Sequence, residues 1–227
     1  MDNNEQLIEM KKKRNKTLTF FANALFILIM IVCVCVVVYK VVYVETSVIG
    51  ASMLPTMNVN GDGDVVMINT KSNFAKGDIV VIDTKKADIE LNHTYIVKRI
   101  VAIQGERVDL RFDENDKMCV WINGKLLTEN YETTPAYKNG NSYPYAYNAF
   151  KKYLETNSED IDYNEQGLLI SENCIFVLGD NRCNSTDSTV FGEVSRSSVL
   201  GRVDVIVKKG ESKIFTFIGA MLSKVFG

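Results

Sequence analysis

The chain has 227 residues, a net charge of −2 and a single histidine, His93. A surface that is not basic argues against nucleic acid as the main partner. One histidine excludes sites with several histidine ligands, a zinc protease included, so we expect no metal and no cofactor.

The N-terminal part carries a basic cluster followed by a long apolar run. Residues 11–16 read KKKRNK, and the 22 residues from Leu18 to Tyr39 carry no charge. A helix of that length spans about 33 Å, close to the hydrocarbon thickness of a bilayer. A cleaved signal peptide has a shorter apolar stretch, and a buried core helix is rarely apolar on all sides. The pattern therefore predicts one uncleaved transmembrane anchor over residues 18–44.

The charge distribution predicts the orientation of this anchor. Because the basic cluster precedes the apolar run, the positive-inside rule places residues 1–17 in the cytoplasm and residues 45–227 outside it. The lipid bilayer is therefore an expected partner. Three cysteines lie in the outer part, so at most one disulfide can form there, and their spacing leaves the pairing open.

Most of the outer part has the pattern of short strands. Runs of β-branched residues separated by turn residues predict strands at 65–68, 78–82, 95–103, 107–112, 118–124, 174–180 and 199–209. We therefore expect a mainly β domain of antiparallel, barrel-like or sandwich-like architecture, tethered by one helix.

Two segments depart from the strand pattern. Residues 128–166 hold seven of the ten tyrosines and few aliphatic residues, which predicts a surface-exposed insertion with a short helix over NAFKKYLE. The last stretch, KIFTFIGAMLSKVFG, is too short to span a membrane. It is interpreted either as an interfacial helix or as a segment packed on the domain.

The first segment with possible chemistry is the turn GASMLPT at residues 50–56, directly after the anchor. A serine between Gly and Pro residues can present its hydroxyl outward, although most such serines only form turns. Ser52 is therefore a candidate nucleophile that needs a base.

The second segment is the strand YIVKRIVAI at residues 95–103, which is apolar on both faces. A lysine buried there is costly unless it is neutral or paired. Because burial lowers a lysine pKa, Lys98 is a candidate general base. The alternative is a lysine that reaches solvent at a strand end. Arg99 points to the opposite side and needs an acidic partner.

The third segment, GDNRCNSTDS at residues 179–188, follows the apolar strand CIFVL. Considered alone, it is a polar loop whose side chains cap its own backbone. Considered with the other two segments, it is a hydrogen-bonding scaffold that supplies the partner of Arg99.

Together the three segments resemble type I signal peptidase, the membrane-bound serine protease that removes secretory signal peptides. G-x-S-M-x-P-T, K-R in an apolar strand and G-D-N-R-x-N-S-x-D-S are signatures of that family and occur here in the same order. The resemblance extends from the anchor to about residue 207 and weakens over 132–172. The single anchor and the small size are similar to the Gram-positive type.

This resemblance implies a Ser–Lys dyad, with Ser52 as nucleophile and Lys98 as general base. It also implies that the Ser52 backbone N–H contributes to the oxyanion hole. Three further roles follow from the same match: Ser185 orients the lysine amine, Asp180 pairs with Arg99, and Asp187 is a second structural aspartate of the loop.

The sequence departs from the family pattern at two of these places. Gly50 stands where Gram-negative members often carry a serine that adds an oxyanion donor, so a second donor stays open. Thr189 stands where the family usually has Arg, which removes an expected partner of Asp187. The resemblance implies signal peptides of secreted preproteins as substrates, with the secretion translocon as a candidate partner.

Three other functions match parts of this sequence. A non-catalytic, membrane-tethered relative could act as an assembly factor or chaperone for surface proteins, but it would be expected to lack Ser52 or Lys98. A Ser–His enzyme would use His93, which on an extended strand faces the opposite side from Lys98 and lies about 16 Å away. A self-cleaving repressor would need a DNA-binding segment, and none is recognised in this sequence.

Overall fold

The computed structural model describes residues 3–131, 133–138 and 145–226. The chain divides into two compact units, Met1–Tyr43 and Val44–Gly227. In the first unit, helix α1 runs over Asn3–Val42, and its part Lys13–Val42 is long and apolar enough to cross a membrane. The helix includes the basic segment 11–16, and the topological boundaries at residues 17 and 44 stay a prediction.

Among its described residues, the second unit has short strands, three further α-helices and one 3₁₀ turn at Arg196–Ser198. The strands are β1 Tyr43–Ser47, β2 Val65–Asn69, β3 Ile79–Asp83, β4 Tyr95–Ile103, β5 Arg107–Phe112, β6 Met118–Ile122, β7 Lys125–Leu126, β8 Tyr163–Asn164, β9 Gly167–Leu169, β10 Cys174–Leu178, β11 Val194–Ser195 and β12 Val199–Val207. The helices are α2 Tyr145–Thr156, α3 Ser188–Phe191 and α4 Lys213–Phe226.

These strands form two sheets whose described ladders are antiparallel. One has seven strands in the order β1-β2-β12-β3-β4-β10-β11, and the other has five in the order β7-β6-β5-β9-β8. The prediction of a mainly β, antiparallel fold with one N-terminal apolar helix is confirmed. The strands form where β-branched residues are bounded by turn residues, as the sequence pattern indicates.

Strand β4 lies inside the larger sheet, between β3 and β10. Lys98 is opposite Val80 of β3, and Arg99 is opposite Leu178, the last residue of β10. Ile100 and Val101 point to opposite faces, and both are fully buried, which confirms that the strand is covered on both sides. Because β10 ends beside Arg99, the polar loop that follows begins next to β4.

The expectation of a surface-exposed insertion over residues 128–166 is wrong for helix α2. Ala146, Phe150 and Leu154 are spaced four residues apart, so they share one helix face and are buried in the core. Phe150 packs edge-to-face on Phe176 of β10 with ring centroids 5.8 Å apart. The predicted short helix is present, whereas residues 132 and 139–144 of the insertion lie outside the described residues.

Candidate active site

The turn that carries Ser52 is anchored by two buried methionines. Met53 and Met57 are 1% and 0% exposed, and the Met57 N–H donates to the Met53 carbonyl at 3.0 Å. Gly50 enters the turn with φ +93°, a left-handed conformation that favours glycine. The buried methionines fix the turn against the core, while Ser52 lies at the wall of a cleft.

The polar loop after β10 holds the same turn from the other side. The Asn181 N–H donates to the Ser52 carbonyl at 3.0 Å, and Asn181 Nδ2 donates to the Ala51 carbonyl at 2.9 Å. A Cβ on Gly179 would come within 2.4 Å of the Ser52 carbonyl oxygen. Glycine at position 179 therefore allows the loop to approach the Ser52 turn this closely.

Lys98 meets Ser52 inside this arrangement. Lys98 Nζ donates a hydrogen bond to Ser52 Oγ at 2.8 Å, across a sequence separation of 46 residues. Lys98 is only 3% exposed, because β4 is covered on both faces. The structure therefore brings the candidate nucleophile and the candidate base into direct contact.

Burial lowers the pKa of the Lys98 amine below its ordinary value of 10.5. The cause is desolvation, which disfavours the charged ammonium form. The carboxylates of Asp187 and Asp180 act in the opposite direction, but their effect is smaller. A neutral amine at this distance can accept the hydroxyl proton of Ser52.

Arg99, the neighbour of Lys98 on the opposite face of β4, forms a buried ion pair with Asp180. Arg99 Nε donates to Asp180 Oδ1 at 2.8 Å, and Nη2 donates to Oδ2 at 2.6 Å. The Asp180 side chain is 0% exposed. Thr56 Oγ1 also donates to Asp180 Oδ2, at 2.5 Å. One carboxylate thus joins β4, the polar loop and the Ser52 turn.

Three residues that the sequence did not single out extend this ion pair. The Arg99 guanidinium carbon lies 3.8 Å from the ring centroid of Tyr131, and the Tyr131 hydroxyl donates to Glu129 Oε1 at 2.8 Å. Glu129 in turn accepts a bidentate hydrogen bond from the buried Arg182 of the polar loop. The segment after β7 therefore holds the polar loop through one cation–π contact, one hydrogen bond and one ion pair.

Asp187 is buried at the start of α3, where it caps the helix. Its Oδ1 accepts from the Thr189 N–H at 3.1 Å and from Thr189 Oγ1 at 2.8 Å. Its Oδ2 accepts from the Gly179 N–H at 2.9 Å. Thr189 thus supplies hydrogen bonds where the resemblance led us to expect an arginine.

Replacing Thr189 with Val is expected to lower the free energy of unfolding by about 1–3 kcal/mol. The substitution keeps the side-chain shape but removes a hydroxyl from a buried carboxylate. Thermal unfolding of the detergent-solubilised chain measures the loss, and Thr189→Ser, which keeps the hydroxyl, is the matched control. Equal stability of the Val variant and the unmodified chain would contradict this role of the hydroxyl.

The remaining candidate residues are Ser185 and Gly50. Ser185 Oγ is buried and has no hydrogen-bond partner among the described residues, so its role in orienting the lysine stays a prediction. The Gly50 N–H donates to Asp62 Oδ1 at 2.8 Å. The Gly50 N–H is therefore engaged in the turn.

The cleft beside Ser52 has a volume of about 610 Å³. Its walls are the segments 46–52 and 91–98, with residues 184–186 of the polar loop at one side. The exposed His93 also lines this cleft, in the loop before β4. The cleft is thus bordered by two extended segments that lead to the Ser52–Lys98 contact.

A family-wide sequence pattern described as "Signal peptidase, peptidase S26" matches residues 21–208, which include every residue of the candidate site described above. The chain belongs to this signal peptidase family. The match runs from within α1 to the residue after β12, so it takes in both sheets and the cleft.

Individual members of the signal peptidase family are similar over most of their length. Signal peptidase IB of Staphylococcus aureus (strain N315) is 28% identical over 86% of this chain and 89% of its own. Signal peptidase I of Bacillus caldolyticus is 28% identical over 68% of this chain and 74% of its own. A solved structure of a signal peptidase I from Enterococcus faecalis V583 is 25% identical, covers 58% of this chain and 97% of that one, and has a TM-score of 0.35.

The signal peptidase motifs located the site residues but not all of their partners. Ser52, Lys98, Arg99 and Asp180 are in contact in the pairs described, and each was named from its motif. Glu129 and Tyr131 lie in VWINGKLLTENY, a segment that resembles the family without a chemical signature of its own. In the sequence they are only an acidic and an aromatic residue that follow a strand. Such residues are too common there to be identified as partners of Arg182 and Arg99.

Proposed function

We propose that the chain is a membrane-anchored serine endopeptidase that cleaves signal peptides from exported preproteins at the outer surface of the cytoplasmic membrane. Membership of the signal peptidase family supports the substrate class. The observation that carries the mechanism is the 2.8 Å contact between Lys98 Nζ and Ser52 Oγ in an accessible cleft. The N-terminal helix is consistent with anchoring.

In this mechanism neutral Lys98 accepts the proton of Ser52 Oγ as that oxygen attacks the carbonyl carbon of the scissile bond. The C–N bond then breaks, and the Lys98 ammonium returns its proton to the leaving amine. The acyl group stays on Ser52. Lys98 next takes a proton from a water molecule, whose oxygen attacks the ester carbonyl. The C–O bond to Ser52 then breaks, the Lys98 ammonium returns the proton to Ser52 Oγ, and the signal peptide leaves with a free carboxyl group.

The tetrahedral intermediate needs donors for its oxyanion. Of the described residues, none accepts a hydrogen bond from the Ser52 N–H, which is therefore free to donate. The Asn181 contacts hold the Ser52 and Ala51 carbonyls and so fix the orientation of this peptide. The proposed oxyanion donor is thus set before substrate binds.

The cleft fits an extended peptide. Its two long walls, 46–52 and 91–98, offer backbone donors and acceptors to a strand laid between them. Small side chains at the −1 and −3 positions of the substrate would fit beside the Ser52 turn. The signal-peptide cleavage site lies just beyond its own apolar span, as Ser52 lies just beyond α1 in this chain.

The orientation follows from charge. The basic residues 11–16 precede the apolar run of α1, which favours an N-terminus in the cytoplasm and residues 45–227 outside it. A preprotein crossing the same bilayer would present its cleavage site on that side. Enzyme and substrate would then meet at similar depth.

The function is tested by cleavage of a reporter preprotein, with either an intact Ala-x-Ala site or bulky residues at −1 and −3. The reconstituted full chain is expected to cut the intact reporter after the −1 residue and to leave the altered one uncut, as read by mass spectrometry of the products. Ser52→Ala is the control for contaminating proteases. Equal cleavage of both reporters would refute signal-peptide specificity, and cleavage by Ser52→Ala would refute the nucleophile.

A further inference from the structure

Helix α4 packs on the domain with its apolar face turned outward. It contacts β12, and the half-buried residues Thr216, Phe217 and Ala220 lie on its inner side. At 100° per residue the opposite side is one apolar stripe about 100° wide. The side chains of this stripe are well exposed: Ile214 70%, Phe215 78%, Ile218 47% and Leu222 52%.

This exposed apolar stripe is unusual for a helix that covers a domain in water. Such a helix buries its apolar face and exposes its polar face. A contiguous exposed apolar patch marks a surface that another phase or molecule covers. The outer stripe of α4 therefore indicates an apolar environment next to the domain.

The one-sided apolar stripe of α4 fits a helix lying in a lipid interface. A helix with one exposed apolar face lies in the plane of the headgroups, with that face directed at the acyl chains.

An ion pair links the first residue of α4 to the segment that directly follows α1. Lys213, its first residue, donates from Nζ to Glu45 Oε2 at 3.1 Å. Glu45 is three residues past Val42, the last residue of α1, so at most about 11 Å of extended chain separates the two. If α1 spans the bilayer, the start of α4 is held close to the point where the chain leaves the lipid.

The segment that carries Ser52 also exposes apolar side chains, and a lysine that precedes α4 contacts it. Lys209, four residues before α4, is exposed, and its side chain lies beside Gly61 and Gly63 of the Ser52-bearing segment. Ile49 and Val59 of that segment are 76% and 58% exposed. An exposed lysine that contacts a segment with exposed apolar residues suits a surface with anionic headgroups.

We propose that the outer stripe of α4 docks on the anionic lipid surface of the membrane that α1 anchors, and so holds the domain against that surface. This inference rests on the anchoring in the proposed function. The occupant is lipid because an ion pair holds the start of α4 to Glu45, three residues past α1. The outer stripe is also apolar and exposed, and an exposed lysine precedes the helix.

Fluorescence quenching by brominated lipids tests this docking in the full chain. The chain has one tryptophan, Trp121, whose Nε1 has no hydrogen-bond partner among the described residues, so Trp121→Phe removes no observed bond. In that background, Phe215→Trp places a single fluorophore on the stripe. Ser223→Trp, exposed on α4 but outside the stripe, is the matched control.

Both variants are reconstituted in vesicles with about 30% phosphatidylglycerol and acyl chains brominated near the headgroup. We expect emission of Phe215→Trp to fall by about half and that of Ser223→Trp by less than about one-tenth, because only the stripe meets acyl chains. Equal quenching of the two variants overturns the docked orientation. An unquenched but blue-shifted Phe215→Trp also overturns it, since protein then covers the stripe, either α1 or a second copy of the chain.

Alkaline extraction of the same vesicles separates this result from the proposed function. A chain that resists extraction is anchored, so absent quenching then refutes only the docking of α4. A chain that is extracted refutes the proposed anchoring, and the docking that depends on it falls as well.

Discussion

Replacing Lys98 with Met is expected to lower kcat/KM for preprotein cleavage by about 10⁴–10⁶-fold, the range seen when a member of such a catalytic group is removed. Methionine keeps the length and apolar stem of the side chain but leaves Ser52 Oγ without its proposed proton acceptor, whose Nζ lies 2.8 Å away. For the unmodified chain, kcat/KM should rise with pH through the lowered pKa of Lys98 and then reach a plateau.

The same substitution is expected to stabilise the fold at neutral pH. Burial lowers the pKa of Lys98 in the folded chain below the 10.5 of the unfolded chain. Between these two values the unfolded state binds more protons, so the free energy of unfolding rises with pH up to about 10.5. Lys98→Met removes the cost of burying the charge, so its gain is largest at and below the folded pKa and vanishes above the unfolded one.

Activity assays and thermal unfolding at several pH values check both effects on the detergent-solubilised chain. Lys85→Met, at an exposed lysine, is the control and should change neither. If Lys98→Met retains activity within about tenfold of the unmodified chain, the dyad assignment is wrong. A stability gain that grows toward pH 10 would contradict the depressed pKa.

Replacing Asp180 with Asn is expected to destabilise the fold by about 3–5 kcal/mol, because it leaves a buried guanidinium without its counter-charge. Asp180 is fully buried and receives two hydrogen bonds from Arg99 and one from Thr56. Since the Thr56 bond reaches the turn that carries Ser52, the variant should lose activity along with stability.

Asp162→Asn is the matched control for this change. Asp162 also pairs with an arginine, Arg107 Nη2 at 2.7 Å, but its side chain is 57% exposed. An exposed pair contributes at most about 1 kcal/mol, so this variant should unfold close to the unmodified chain. Similar losses for both variants, measured by thermal unfolding, would show that burial does not set the strength of the Arg99–Asp180 pair.

The strands were predictable because their signal is local. The runs at 65–68, 95–103 and 107–112 became β2, β4 and β5 with nearly the same bounds. The burial of helix α2 was not predictable from its composition, because its many tyrosines conceal a regular spacing of apolar residues. Ala146, Phe150 and Leu154 recur every fourth residue, and this spacing, not the overall polarity, decides which face is buried.

The sequence by itself determined the mainly β fold class, the N-terminal apolar helix and the three motif segments, because each depends on residues close together in the chain. Only the tertiary structure decided that Tyr131 covers Arg99, that Glu129 holds Arg182, and that Thr189 satisfies Asp187. It also decided that the apolar stripe of α4 faces outward. Contacts such as Arg99–Asp180, 81 residues apart, depend on the register of β4 against β10 and on the packing of the whole sheet, which no short segment of sequence specifies.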